Sequence, residues 1–259
     1  MSDDEGGGSL YVLTAVLLTP AQFPSILGDD FPEACSLLGV APNREGYGLV
    51  LGQDEEGARW TVVVDDVSLV ATAIASWDCG MEYDLSPDER TIVVSLAGWP
   101  LELSVAAPGI PEPHDPEQGA DGTGRVPLAP PSADAWGPVQ RRMGADQIAR
   151  EWADWRGRVA TDGGAAAAAH PGLARAREEA LAYTRTPPPL GRVRSSFAGE
   201  GSRTLRVDGP GWSLVARTGE AAFVLLDEEP SEVLAVPHEG DPDLPELLAA
   251  LDRVAVRPA

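Results

Sequence analysis

From Ala107 to Pro138 the chain reads APGIPEPHDPEQGADGTGRVPLAPPSADAWGP, crowded with proline, glycine and aspartate and without apolar periodicity. Such a run holds neither a helix nor a central strand, because proline removes a backbone donor and glycine weakens backbone order. It splits the 259 residues into two parts, each of which must build its own core. The expected organisation is an acidic β-rich α+β domain over residues 1–106, this linker over 107–138, a helical segment over 139–186 and a small β-sheet-plus-helix domain over 187–259.

In the first part, LYVLTAVLLT is rich in large and β-branched apolar residues and reads as a buried strand. Pro24 and Pro32 forbid one long helix in the segment that follows, leaving room for one or two short ones. YGLVLG and ARWTVVVDD flank QDEEG and predict a hairpin. VSLVATAIASW is ambiguous between strand and helix, and DCGMEYDL, RTIVVSLA and WPLELSVA read as further strands.

Beyond the linker, Ile148, Trp152, Trp155 and Val159 are spaced to share one face of a helix, with Arg150, Arg156 and Arg158 off that stripe. Pro171 opens PGLARAREEALAYTR, and TPPPLG ends it. SRTLRVDG, GWSLVART, AAFVLLDEE and EVLAVPHE predict four short strands. Leu244, Leu247, Leu248, Leu251 and Val254 line a final helix with Asp241 or Asp243 available as its cap. Strands outnumber crossover helices, so the predicted class is α+β: two mainly antiparallel-sheet units joined by the Pro-rich linker and the helical middle segment.

Charge narrows the function classes. The net charge is −22, and all 19 basic residues are arginine. Without lysine there is no Schiff-base or P-loop lysine. Residues 1–124 carry 3 Arg against 22 acids, residues 125–217 carry 14 Arg against 9, and residues 218–259 carry 2 Arg against 10. Phosphate backbones need concentrated cations, so direct nucleic-acid binding is not expected. A basic protein partner, or pairing between the middle segment and the two ends, fits this distribution.

The acidic N-terminus MSDDEGGGS does not resemble a signal peptide, and Leu10–Leu18 is far short of the ~20 apolar residues that cross a bilayer. A cytoplasmic protein without membrane contact is expected. Cys35 and Cys79 stand outside any CxxC or Cys/His cluster and read as reduced and packed.

The candidate site residues are carboxylates. WTVVVDD ends in Asp65 and Asp66, an arrangement that also holds magnesium in nucleotide hydrolases, but the chain has no accompanying phosphate loop. WDCGMEYD adds Asp78, Glu82 and Asp84, which on neighbouring strands would form an oxygen-rich cluster. Gly46, Gly48 and Gly52 miss dinucleotide-fingerprint spacing, His114, His170 and His238 form no zinc pair, and there is no G-x-S-x-G elbow. The arginines at 185, 192, 194, 203 and 206 read as an exposed basic loop, or one folded against the acidic first part.

The expected function is therefore non-enzymatic, that of a bacterial-type immunity protein, secretion chaperone or adaptor with no cofactor and no metal. Asp65, Asp66, Asp78, Glu82 and Asp84 would meet arginines of a basic partner. Trp152 and Trp155 read first as core, and as a partner anchor if their face is open. The rival classes are a metal-dependent hydrolase built on the same carboxylates and an acidic mimic of nucleic acid.

Overall fold

The computed structural model describes residues 11–24, 27–65, 67, 89–98, 120, 135–162, 170–199, 201–230, 232–238 and 242–258. The linker, apart from a few residues, the segment VSLVATAIASW beyond Val67, and the segments DCGMEYDL and WPLELSVA lie outside them. The chain divides into two compact units, Met1–Leu18 with Asn43–Pro131, and Thr19–Pro42 with Ser132–Ala259. Residues 19–42, read from sequence as part of the first domain, thus belong with the second unit. The physical reason is a set of charge pairs described below.

The first unit contains a four-stranded antiparallel sheet, β1 (Tyr11–Leu18), β2 (Tyr47–Gln53), β3 (Arg59–Val64) and β4 (Ile92–Ala97), in that spatial order. The predicted hairpin is β2–β3, running in register from Gly48 opposite Val64 to Gln53 opposite Arg59. Val50, Val62 and Val64 form a buried cluster with Ala15, Leu17 and Ile92 against it. β-branched side chains suit this surface because their χ1 freedom is already low in an extended chain. The connecting turn runs through Gly57 at φ +86°, a conformation that a residue with a Cβ adopts only under strain.

The second unit contains a five-stranded antiparallel meander, β5 (Val193–Gly199), β6 (Ser202–Gly209), β7 (Trp212–Arg217), β8 (Ala222–Leu226) and β9 (Val233–Val236). Among the described residues five helices accompany it: α1 (Phe31–Leu37), α2 (Pro138–Arg150), α3 (Trp152–Asp162), α4 (Pro171–Tyr183) and α5 (Leu244–Val254). The predicted helix over MGADQIAREWADWRGRVA is two helices that meet at Glu151. β5 corrects the reading of GRVRSSFAG as a loop.

Alternation along the strands separates the two faces of the meander. On one face Leu205, Val207, Leu214, Ala216, Val224 and Leu226 pack with α4 and α5, which contribute Leu173, Ala176, Leu247, Leu248 and Leu251. Each leucine buried here contributes roughly 1.5–3 kcal/mol relative to exposure. Trp212 is enclosed in this core, stacks on Tyr183 at 6.2 Å and donates from Nε1 to Glu179 at 2.6 Å. The C-terminal segment closes part of the β5 edge: the Ser195 amide donates to Val256 O, and the Val256 amide to Val193 O, both at 2.9 Å.

Candidate functional site

On the opposite face of the meander, chemistry changes from strand to strand. Over β7 and β8, Val215, Phe223 and Leu225 meet Ala145, Ile148 and Trp152 of the helices in an apolar cluster. Over β5 and β6 the same face carries Arg194 directly opposite Arg206, and Ser196 opposite Thr204. Two like charges in register repel, so this pairing needs a counter-ion.

Asp208 supplies it. The carboxylate is fully buried and accepts from Arg194 Nη2 at 2.7 Å, Arg206 Nη2 at 3.4 Å and Ser213 Oγ at 2.6 Å, with Arg142 Nη2 3.8 Å away. Burial by itself would raise its pKa. The charges of Arg142, Arg206 and Arg194, with the Ser213 hydroxyl, outweigh that and hold Asp208 well below the ordinary carboxylate range. The same burial brings Arg194 down to about 10 despite Asp208. Arg206, which also pairs with Asp146, is held above its usual value.

The segment before α1 completes the layer. Arg141 and Arg142, both fully buried on α2, donate to the side chain and the backbone carbonyl of Asp29 respectively. Arg141 also reaches Ser213 Oγ at 3.2 Å and lies 3.1 Å from Asp227. Burial raises the Asp29 carboxyl, partly offset by Arg141. Asp30 caps α1, accepting from the Glu33 amide at 2.8 Å, and takes a second hydrogen bond from Arg192 Nε at 2.9 Å. Phe23 lies beneath the guanidinium groups of Arg142 and Arg194, 4.1 and 5.0 Å from its ring centroid. The chain passes close by at Gly191, φ +90°, where a Cβ would lie 2.6 Å from Pro20 O. These contacts draw residues 19–42 to the second unit.

Pairing of the middle segment with both ends is thus realised inside this unit. Of the five arginines read as a loop, Arg192, Arg194, Arg203 and Arg206 lie in or beside β5 and β6 and are paired with Asp30, Asp208, Asp252 and Asp146. Their partners all belong to the second unit, Asp30 coming from its 19–42 segment. The alternating RVR was the available signal for arginines on one strand face, whereas RTLR sends Arg203 and Arg206 to opposite faces of β6, and nothing local named the counter-ions.

Trp152 is only 2 % exposed, sits edge-on to Phe223 at 5.3 Å and donates from Nε1 to Glu220 at 2.9 Å. Trp155 is half-buried, packs edge-on to Phe223 at 6.0 Å and has the Arg158 guanidinium 4.3 Å over its ring. Both therefore belong to the apolar part of this layer. His170 caps α4 through Nδ1 and lies 3.0 Å from Glu229 through Nε2.

In the first unit, Asp65 is exposed at the end of β3, its amide donating to Thr91 O at 2.9 Å. Asp66, Asp78, Glu82 and Asp84, like Cys79, lie outside the described residues. The β2–β3 turn adds acids that the candidate set omits. Asp54 Oδ1 accepts from the amides of Glu56 and Ala58 at 3.0 and 2.8 Å, and Oδ2 from Trp60 Nε1 at 3.1 Å. With Asp54 holding the turn, Glu55 and Glu56 project into water. Among the described residues, no arginine lies within ion-pair distance of Glu45, Glu55, Glu56 or Asp65.

Also among the described residues, no three His, Cys, Asp or Glu side chains are grouped to hold a metal ion, and no helix is long and apolar enough to cross a membrane. Comparison of the chain with protein-family models, curated protein sequences and solved structures found no match.

Proposed function

We propose that the chain is a non-enzymatic protein-binding module, of the immunity-protein, secretion-chaperone or adaptor kind, whose first unit offers an acidic surface to a basic partner. One observation supports this reading above the others: the two units treat charge in opposite ways. The second unit has 15 arginines and 22 acids, and its buried arginines are matched to carboxylates of the same unit. The first has 19 acids against 4 arginines, a net −15, and among the described residues no arginine lies within ion-pair distance of the exposed Glu55, Glu56 and Asp65.

Such a surface lowers its self-repulsion when a cationic protein covers it. Complementary charge also speeds encounter and fixes orientation. Asp66, Asp78, Glu82 and Asp84 extend the same acidic sequence and belong to this proposal.

The test is capture from the native cell on immobilised full-length chain, comparing the natural sequence with a Glu55→Arg, Glu56→Arg, Asp65→Arg variant. A basic protein held by the first, released by salt and lost by the second is the expected result. Equal capture by both chains would sink the acidic-surface reading. Saturable binding of Mg²⁺, Mn²⁺ or Ca²⁺ in calorimetry, abolished by neutralising Asp65 and Asp66, would favour the hydrolase instead.

A further inference from the structure

The second unit contains a cleft of about 410 Å³ between β5–β6, α2 and residues 21–23. That volume lies within the roughly 300–1,000 Å³ typical of small-molecule sites. Its wall is unevenly charged, with Arg150, Arg194 and Arg206 facing a single carboxylate, Asp146. Asp146 is already paired with Arg206, so it leaves no negative charge unmatched there.

The groups still unused on this wall share one chemistry. Arg194 commits Nη2 to Asp208, whereas its Nη1 has no partner among the described residues and is not sealed from solvent. Arg150 is exposed at the end of α2 and likewise unpaired among them. The hydroxyls of Ser196 and Thr204, side by side across the β5–β6 ladder, have no hydrogen-bond partner in the described structure either. Two guanidinium groups and two hydroxyls thus converge as donors, and Phe23 and Ala149 supply the apolar remainder.

We infer that this cleft binds a small molecule through an oxyanion, a phosphate or carboxylate group held by Arg150, Arg194, Ser196 and Thr204. Guanidinium forks match both anions in planar geometry, and charge-assisted hydrogen bonds are about twice as strong as neutral ones. Arg194 is already fixed by Asp208 and by stacking on Phe23, so little side-chain freedom is lost when the anion arrives. The inference is independent of the acidic surface proposed for the first unit.

Calorimetric titration of the full chain with inorganic phosphate and, separately, citrate tests it, with ionic strength held constant by sodium chloride. Saturable one-site binding of either anion is expected, and which one binds tells the two oxyanion classes apart. Arg150→Ala, at an exposed position, should weaken that binding about tenfold. Ser196→Ala with Thr204→Val should weaken it severalfold, with far-ultraviolet circular dichroism unchanged. The inference is overturned if neither anion gives a saturable signal, or if Arg150→Ala binds as tightly as the natural chain.

Discussion

Two hairpins of this protein have the same architecture and opposite electrostatics. In β2–β3 the acidic residues collect at the turn, where Glu55 and Glu56 stand in water while Asp54 ties down the backbone, and Arg59 at the start of β3 is the hairpin's one buried charge. In β5–β6 the charged residues lie mid-strand, and Arg194 and Arg206 are drawn under a covering layer with Asp208 between them. Exposed charge costs little and contributes little to stability. Buried charge must be matched, because each unmatched ion leaves several kcal/mol of lost hydration uncompensated. The acids of the first hairpin stay in water, where the proposed partner would meet them, and the second is committed to holding residues 19–42, α2 and the sheet together.

The largest way to break this contrast is at Asp208. Asp208→Ala should cost about 3–5 kcal/mol, read as a lowered denaturant midpoint, because Arg142, Arg194 and Arg206 would lose their common counter-ion. If stability fell by less than about 1 kcal/mol, the network would not be the organiser described here. An apolar replacement of the whole set, Arg142→Met, Arg194→Met, Arg206→Met and Asp208→Leu, should recover much of the loss.

Acid probes the same group. The folded pKa of Asp208 is depressed, so its contribution is fully present above the unfolded value of about 3.9 and is lost as pH falls below it. Asp29 and Asp227 are raised by burial, so they act oppositely and their cost relaxes as pH falls from neutrality towards about 4. Unfolding free energy should therefore hold or rise slightly on mild acidification and then drop steeply below about pH 4. The drop should be shallower in Asp208→Ala.

Asp30→Ala comes next, at about 2 kcal/mol, since it removes both the cap of α1 and the partner of Arg192. Hydrogen exchange in α1 should report that loss first. The smallest effect belongs to the other hairpin. Glu55→Arg with Glu56→Arg should change stability by no more than about 0.5 kcal/mol while reducing capture of a basic partner. A large destabilisation there would mean that these glutamates are structural, and the contrast would fail.

Local pattern was enough for most elements. Leu244, Leu247, Leu248 and Leu251 are buried along α5 as their spacing implies, and β6 to β9 and the β2–β3 hairpin fall where alternation places them. Val254, predicted on the same stripe, remains 40 % exposed at the end of the helix. Asp243 occupies the predicted cap position of α5 but makes no side-chain capping bond. β5 escaped notice because Arg194, Ser195 and Ser196 interrupt the apolar alternation that usually signals a half-buried strand. The candidate site was less legible. Of its carboxylates only Asp65 is described, and the arginine cluster resembled a solvated loop because long-range acids neutralise it.

The amino-acid sequence by itself determined the α+β class, the period of most strands and helices, and the acidic excess of the N-terminal half. These follow from neighbours a few residues apart and from simple counting. Only the tertiary structure decided which charges meet. Asp30 and Arg192 are 162 residues apart and Asp29 and Arg141 are 112 apart, and no local rule couples residues at such distances. A folded layer brings them within hydrogen-bond reach, where exclusion of water turns arginines that read as solvated into a buried network.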